Sequence, residues 1–318
     1  MRLLVTSVLL VLGFPFITTS VVDSFSACND FFEKEKPPEI EGVLKNSVSQ
    51  DNNRYKLICQ RHDGNYRYAT LYDTTARIPL FSAYKYTGLY KKRPHIQWMI
   101  EPQLEPLDGT MSEPAANQAS QRDYLKPDEL EISHLFGVIQ GLQRDYQKKD
   151  ELEIGHLFPN SHAPDETTAE STFTLTNTVP QWGTFNRGSW RRMEQKVRDD
   201  MLDYCRDQDN NANILAYVLT GAVPGNKLLN KRVNIPSHMW TAFCCYNFKS
   251  KEWVSKAHWA DENTPNPIPE KTLKELEDFL SDKFKPSELF SERCYPYFKH
   301  ESLAIPEDNE HASWFFLF

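Results

Sequence analysis

The sequence predicts an α+β fold, with a central antiparallel sheet flanked by helices. Two observations carry this: period-two runs rich in aromatic and β-branched residues, and two late stretches with a helical stripe, all without regular βαβ alternation. From Tyr55 the text reads "YKLICQ", then "YRYATLYD", a turn at "TTAR", and "IPLFSAYKY", the pattern of an antiparallel meander. Residues 101–150 change character, with Pro102, Pro106, Pro114 and Pro127 and few apolar runs, and are expected to form a loop-rich insertion. "STFTLTNTVPQ" (171–181) returns to extended character, with Pro180 expected to help end it. In "GSWRRMEQKVRDDMLDYC" the residues Trp190, Met193, Val197, Met201 and Tyr204 recur at helical spacing, which predicts a helix packed on the sheet. "NILAYVLTGAV", "HMWTAFCCYNF" and "KEWVSKAHWA" read as further strands, and Leu273, Leu276, Phe279 and Leu280 mark a last helix.

With 318 residues, 40% hydrophobic and 13% aromatic, the chain can bury one large core or two modest ones. A net charge of −8 and a pI near 5.7 exclude a protein that coats nucleic acid by bulk electrostatics, so any polyanion site must be a concentrated patch. Residues 1–20, with Arg2 before "LLVTSVLLVLGFPFI" and "TTS", read as a secretory signal peptide cleaved after Ser20 or Ser24. No later run is long and apolar enough for a membrane span, so a secreted, extracellular protein is expected, with one domain over 24–300 and a tail over 301–318. Nothing in the sequence specifies an oligomeric state. Cys28, Cys59, Cys205, Cys244, Cys245 and Cys294 all follow the signal, and an even count in an oxidising compartment favours disulfides. The pairing stays open. Cys244 and Cys245 are expected to find separate partners, because successive strand side chains point to opposite faces.

A reactive site needs a base, a charge neutraliser and groups that orient them. Gly155 before His156 is expected to permit a tight or unusual turn that presents the imidazole. Glu194 and Arg198, four apart, share a helix face, and Asn186 lies just ahead of that helix. A carboxamide oxygen, a carboxylate and a neutral imidazole suit a hydrated Mg2+ that keeps most of its waters.

The stretch "GHLFPNSHAPDETTAESTFTLTNTVPQWGTFNRGSWRRMEQKVR" resembles the core of the DNA/RNA non-specific endonucleases of the ββα-metal class, in particular the secreted endonuclease domain-containing 1 proteins abundant in fish. "TNTVPQ" supplies Asn177 and Gln181, "FNRGSW" supplies Asn186 and Trp190, and Glu194 stands eight beyond Asn186. The resemblance implies a ββα-metal core and hydrolysis of phosphodiester bonds in DNA and RNA with Mg2+ or another divalent cation. It implies His156 as general base, Asn186 as direct metal ligand, Glu194 as holder of a metal-bound water and Arg198 as a phosphate contact. Glu153, Gly155, Asn177 and Arg187 are implied as substrate-binding positions.

One departure stands out. Where the family carries Asp-Arg-Gly-His, this chain reads Glu153-Ile154-Gly155-His156. Loss of the guanidinium removes a bidentate phosphate contact, which predicts a nuclease of reduced activity; the alternative is an inactive nuclease-like protein that binds nucleic acid or an extracellular partner. A tandem repeat precedes the motif: residues 122–137 and 144–159 agree at 12 of 16 positions. Only the second copy continues into the Asn186 segment, so His156 is the expected base and His134 a loop residue.

Overall fold

The computed structural model describes residues 20–105, 116–124, 151–264, 266–286 and 288–295. The signal segment 1–19, His134 and most of the repeat lie outside the described residues.

The meander forms as the alternation predicts. After β1 (Val21–Val22) and a small hairpin of β2 (Leu44–Lys45) and β3 (Val48–Ser49) come β4 (Tyr55–His62), β5 (Asn65–Asp73) and β6 (Ile78–Tyr86). Further along are β7 (Leu152–His156), β8 (Thr178–Trp182), β9 (Cys205–Arg206) and β10 (Ala216–Val223). A second small hairpin, β11 (Lys227–Leu229) and β12 (Val233–Ile235), precedes β13 (His238–Asn247) and β14 (Glu252–Ala260). The main sheet runs β1-β4-β5-β6-β10-β13-β14, with β9 beside β13, and its pairings are antiparallel.

Both faces of this sheet are covered, which is why its strands are apolar on both sides. On one face Trp240, Leu219 and Leu71 pack with Phe25, Phe32 and the buried stripe Leu273, Leu276 and Leu280. That stripe belongs to helix α3 (Leu273–Phe284), started by a capping box between Thr272 and Glu275. On the other face Phe243, Val218 and Tyr84 pack with Met193, Val197 and Met201 of helix α2 (Arg191–Tyr204). A short helix α1 (Glu166–Ser171), capped by Asp165, lies between β7 and β8 in sequence.

The three disulfides are Cys28–Cys59, Cys205–Cys245 and Cys244–Cys294. Adjacent Cys244 and Cys245 belong to the cores on opposite faces, as strand alternation requires. Cys245 thereby ties the end of α2 to β13, and Cys244 ties the same strand to the segment after α3. Pro180 does not end its strand. It sits inside β8 opposite Ile154, and β8 pairs only with β7, so its other edge needs no N–H donor.

Candidate active site

The strands β7 and β8 form an antiparallel ribbon that leads into α2 through an irregular wide turn, Phe185–Trp190, broken at Gly188. An α-helical turn takes 3.6 residues and an i→i+5 turn takes more, so one of each spans close to eight residues. That is the separation of Asn186 and Glu194 across this turn and the first turn of α2.

His156 ends β7, opposite Thr178. Its ring lies 4.9 Å from Trp98 and 5.0 Å from Phe173, centroid to centroid. Backbone bonds Met99 N to Phe173 O and Leu175 N to Met99 O, each 2.8 Å, stitch the two aromatic segments together. The His156 Nε2 is buried without a hydrogen-bond partner. Burial, then the charge of Arg93, lowers the His156 pKa to about 3, so the imidazole is neutral at physiological pH. Arg93 stacks over Phe173 at 5.1 Å, and among the described residues no carboxylate pairs with it. Arg191 lies close enough to lower the pKa of Arg93 and to favour the ionised form of Glu194, so the two cations connect the histidine to the helix. Burial raises Glu194 to about 8, against the opposing pull of Trp190 and Arg191; this carboxyl needs a positive charge to ionise fully at neutral pH.

Asn186 Nδ2 donates to Glu153 Oε2 at 3.1 Å, while Arg187 Nε pairs with Glu153 Oε1 at 2.9 Å. Glu153, the expected substrate contact, thus holds the Asn186 amide and the Arg187 guanidinium. Among the described residues no hydrogen bond takes the Asn186 carbonyl oxygen. Asn177 also has an inward role, in place of the expected substrate contact. It is fully buried, accepts from Ser82 Oγ and Phe158 N, and donates to Phe158 O and Thr172 O. Arg198 stands one turn beyond Glu194 with its guanidinium on Asp199 at 2.7 Å.

Gly155 corrects the sequence reading as well. It is an ordinary strand residue without positive φ, and its need for glycine comes from Gln181, whose Oε1 lies 2.0 Å from where a Cβ would stand. Gln181 is 3% exposed, and a Cβ at residue 155 would require its Cγ, Cδ and Oε1 to move off the ribbon. Gly155→Ala is expected to destabilise the fold by about 1–3 kcal/mol through overpacking, read as a lower chemical-denaturation midpoint; an unchanged midpoint would contradict this packing.

Do these side chains fit a hydrated divalent cation? Among the described residues no group of three or more His, Cys, Asp or Glu could cage an ion. The donor set is instead a free carboxamide oxygen on Asn186 and a carboxyl whose burial calls for positive charge. Both Gln181 amide atoms and His156 Nε2 are buried without partners nearby in the ribbon, polar capacity the protein itself does not use. Hard oxygen donors with water filling the remaining positions suit Mg2+ chemistry.

With this geometry in place, the comparison with known families is decisive: a family model described as DNA/RNA non-specific endonuclease matches residues 50–285. The chain belongs to that family. Endonuclease domain-containing 1 protein from Homo sapiens is 29% identical over 229 residues, covering 70% of this chain and 39% of the relative. The Mus musculus protein of the same name is 30% identical over 286 residues, covering 85% and 48%. The chain thus spans less than half the length of these two relatives. One chain of the crystal structure of the EndoG/EndoGI complex, which concerns the mechanism of EndoG inhibition, aligns with TM-score 0.40 and 16% identity over 68% of this chain and 82% of that one. A likeness at that level carries no argument about function.

The site of this endonuclease-family chain contains residues that motif spacing did not reveal. Arg93 and Trp98 stand some sixty residues before His156, with the loop-rich insertion between, so no local pattern links them. His162, six beyond His156, was within reach of the sequence. It is 2% exposed, and burial lowers its pKa to about 4. Because the folded value lies below the ordinary 6.5, the unfolded chain binds the proton more readily. Stability from this group is complete above pH 6.5 and is lost as pH falls through 4, about 3 kcal/mol in all. His162→Gln is expected to flatten the loss of thermal stability between pH 6.5 and 4; an unaltered slope would contradict this assignment.

Proposed function

We propose that the protein is a secreted, Mg2+-dependent endonuclease that hydrolyses phosphodiester bonds in DNA and RNA without reading sequence. The observation that carries this reading is the ribbon-and-helix element on which neutral His156 ends β7, Asn186 is held by Glu153 and Glu194 stands in the first turn of α2, with Arg93 acting on His156 and Arg191 on Glu194. Three disulfides support the extracellular setting.

In this reading Arg93, Arg191 and Arg198 draw the phosphate toward His156 and Glu194, and contacts to phosphate alone leave base and sugar unread. The neutral His156 imidazole accepts a proton from the attacking water as its oxygen bonds to phosphorus. The ester P–O bond breaks, and the leaving oxygen takes its proton from solvent. Glu153 and Arg187 hold Asn186 in place, while Gly155 and Asn177 keep the ribbon in register behind the site. Asn186 directly, and Glu194 through water, would hold Mg2+ or a similar cation, which when bound supplies positive charge to the phosphate and leaving oxygen.

Ile154 favours a second reading, an inactive nuclease-like protein that binds nucleic acid or an extracellular partner. It is 9% exposed and stands on the His156 face of β7, where the family places a guanidinium. A Mg2+ titration of plasmid DNA and RNA cleavage separates the two. The first reading expects cleavage of both, with Asn186→Ala needing about tenfold more Mg2+ or worse. Binding without cleavage at every Mg2+ concentration would favour the second.

A further inference from the structure

Three buried groups form a bridge that the catalytic reading does not use. Tyr84 lies on β6 in the middle of the main sheet, His162 lies in the loop that leaves the His156 strand, and Glu194 belongs to the first turns of α2. Tyr84 Oη is 2.9 Å from His162 Nδ1, and His162 Nε2 is 3.0 Å from the backbone carbonyl of Glu194. A carbonyl oxygen can only accept, so Nε2 carries the hydrogen, and Nδ1 must in turn accept from the tyrosine hydroxyl. The chain of donors therefore runs one way, from the sheet through the imidazole to the helix. No freedom of tautomer is left.

The position of this bridge matters more than its strength. His162 follows His156 by six residues, and the loop between them is fixed by Asn177 through Phe158. Phe158 also stacks on Tyr84 at 3.9 Å between ring centroids. One end of the bridge thus locates the strand carrying the base. The other end grips the backbone of the residue whose side chain would hold the metal-bound water. A helix carbonyl ordinarily takes its hydrogen bond from four residues further on, so the imidazole adds a lateral tie that the helix does not require for its own formation. The wide turn at Phe185–Trp190 lacks a regular ladder through Gly188; the disulfide and the core hold the far end and inner face of α2, and the imidazole is the tie at its first turn.

We propose that His162, held by Tyr84, is a positioning residue that sets the distance between His156 and the Glu194 end of the metal site. This rests on the nuclease reading for its catalytic consequence, but its structural content is separate: the bridge determines how well the site receives a divalent cation.

The test measures Mn2+ binding by titration calorimetry on the disulfide-intact protein, alongside kcat and KM for plasmid cleavage. Tyr84→Phe removes one hydroxyl while keeping the ring that packs on Phe158, so it leaves the core intact. His162→Ala removes the whole bridge, and His162→Gln retains a donor for the Glu194 carbonyl. Expected are a Mn2+ affinity weakened about threefold or more in Tyr84→Phe and tenfold or more in His162→Ala, with kcat reduced in parallel and KM for DNA little changed. His162→Gln should recover most of the affinity. If His162→Ala does not fold, Tyr84→Phe and His162→Gln decide alone. Unaltered Mn2+ affinity and kcat in folded Tyr84→Phe and His162→Ala would overturn the proposal. A wild type that binds Mn2+ but does not cut would count against the nuclease reading only, since the affinity series still decides the role of the bridge.

Discussion

His156→Ala is expected to lower the rate of plasmid and RNA cleavage by about 10²–10⁴-fold, the range for loss of a general base. The argument rests on the environment of the ring. Trp98 and Phe173 fix its plane, and Nε2 is buried without a partner. Arg93 and burial keep it neutral, with a pKa near 3, so the proton-accepting form is present throughout the physiological range. A base of that pKa accepts a proton less readily than one near 7, and the approach of an anionic phosphate to Arg93 would raise it. His156 charging should therefore cause no decline of wild-type activity between pH 8 and 6, and any acid-side loss in that range belongs to protonation of Glu194, which burial raises to about 8. The measurement is the initial rate of plasmid nicking for both proteins across that range, and a variant that cuts as fast as wild type would remove His156 from the mechanism.

The second large effect is a gain. Ile154→Arg should raise kcat/KM by about 10–100-fold, because it restores a planar, bidentate phosphate donor two residues from the base on the same face of β7. The new charge would join Arg93, which already acts on His156, and would replace a largely buried aliphatic group, so a fall in stability should accompany the gain. Initial rates on plasmid DNA, paired with a thermal melt, read both. A folded variant with no increase would mean that Arg93, Arg191 and Arg198 already saturate the phosphate, and that Ile154 does not limit the enzyme.

Much of the architecture was legible because it depends on local pattern. The β4–β6 meander and the Met193, Val197, Met201 stripe follow from period-two and helical spacing, and opposite-face reasoning separated Cys244 from Cys245. Asn186 and Glu194 could be placed by spacing, although only the structure reveals the irregular wide turn that separates them. Gly155 was harder. A glycine in a sequence says that a side chain is missing; whether φ or a neighbour such as Gln181 forbids one depends on the partner strand. Pro180 likewise reads as a strand end until β8 proves to have an outer edge without a partner. Arg93, Trp98 and Phe173 reach His156 through contacts distant in sequence. The roles of Glu153 and Asn177 depended on which neighbours occupy their polar atoms, which the motif does not record.

The central claim is that this site cuts phosphodiester bonds with a divalent cation and His156. The most direct measurement is conversion of supercoiled plasmid to nicked and linear forms by the disulfide-intact protein with Mg2+, repeated with EDTA and with His156→Ala under the same conditions. The account predicts cleavage in the first reaction and little or none in the other two. Equal cleavage in all three, or none by the wild type at any Mg2+ concentration, would contradict it.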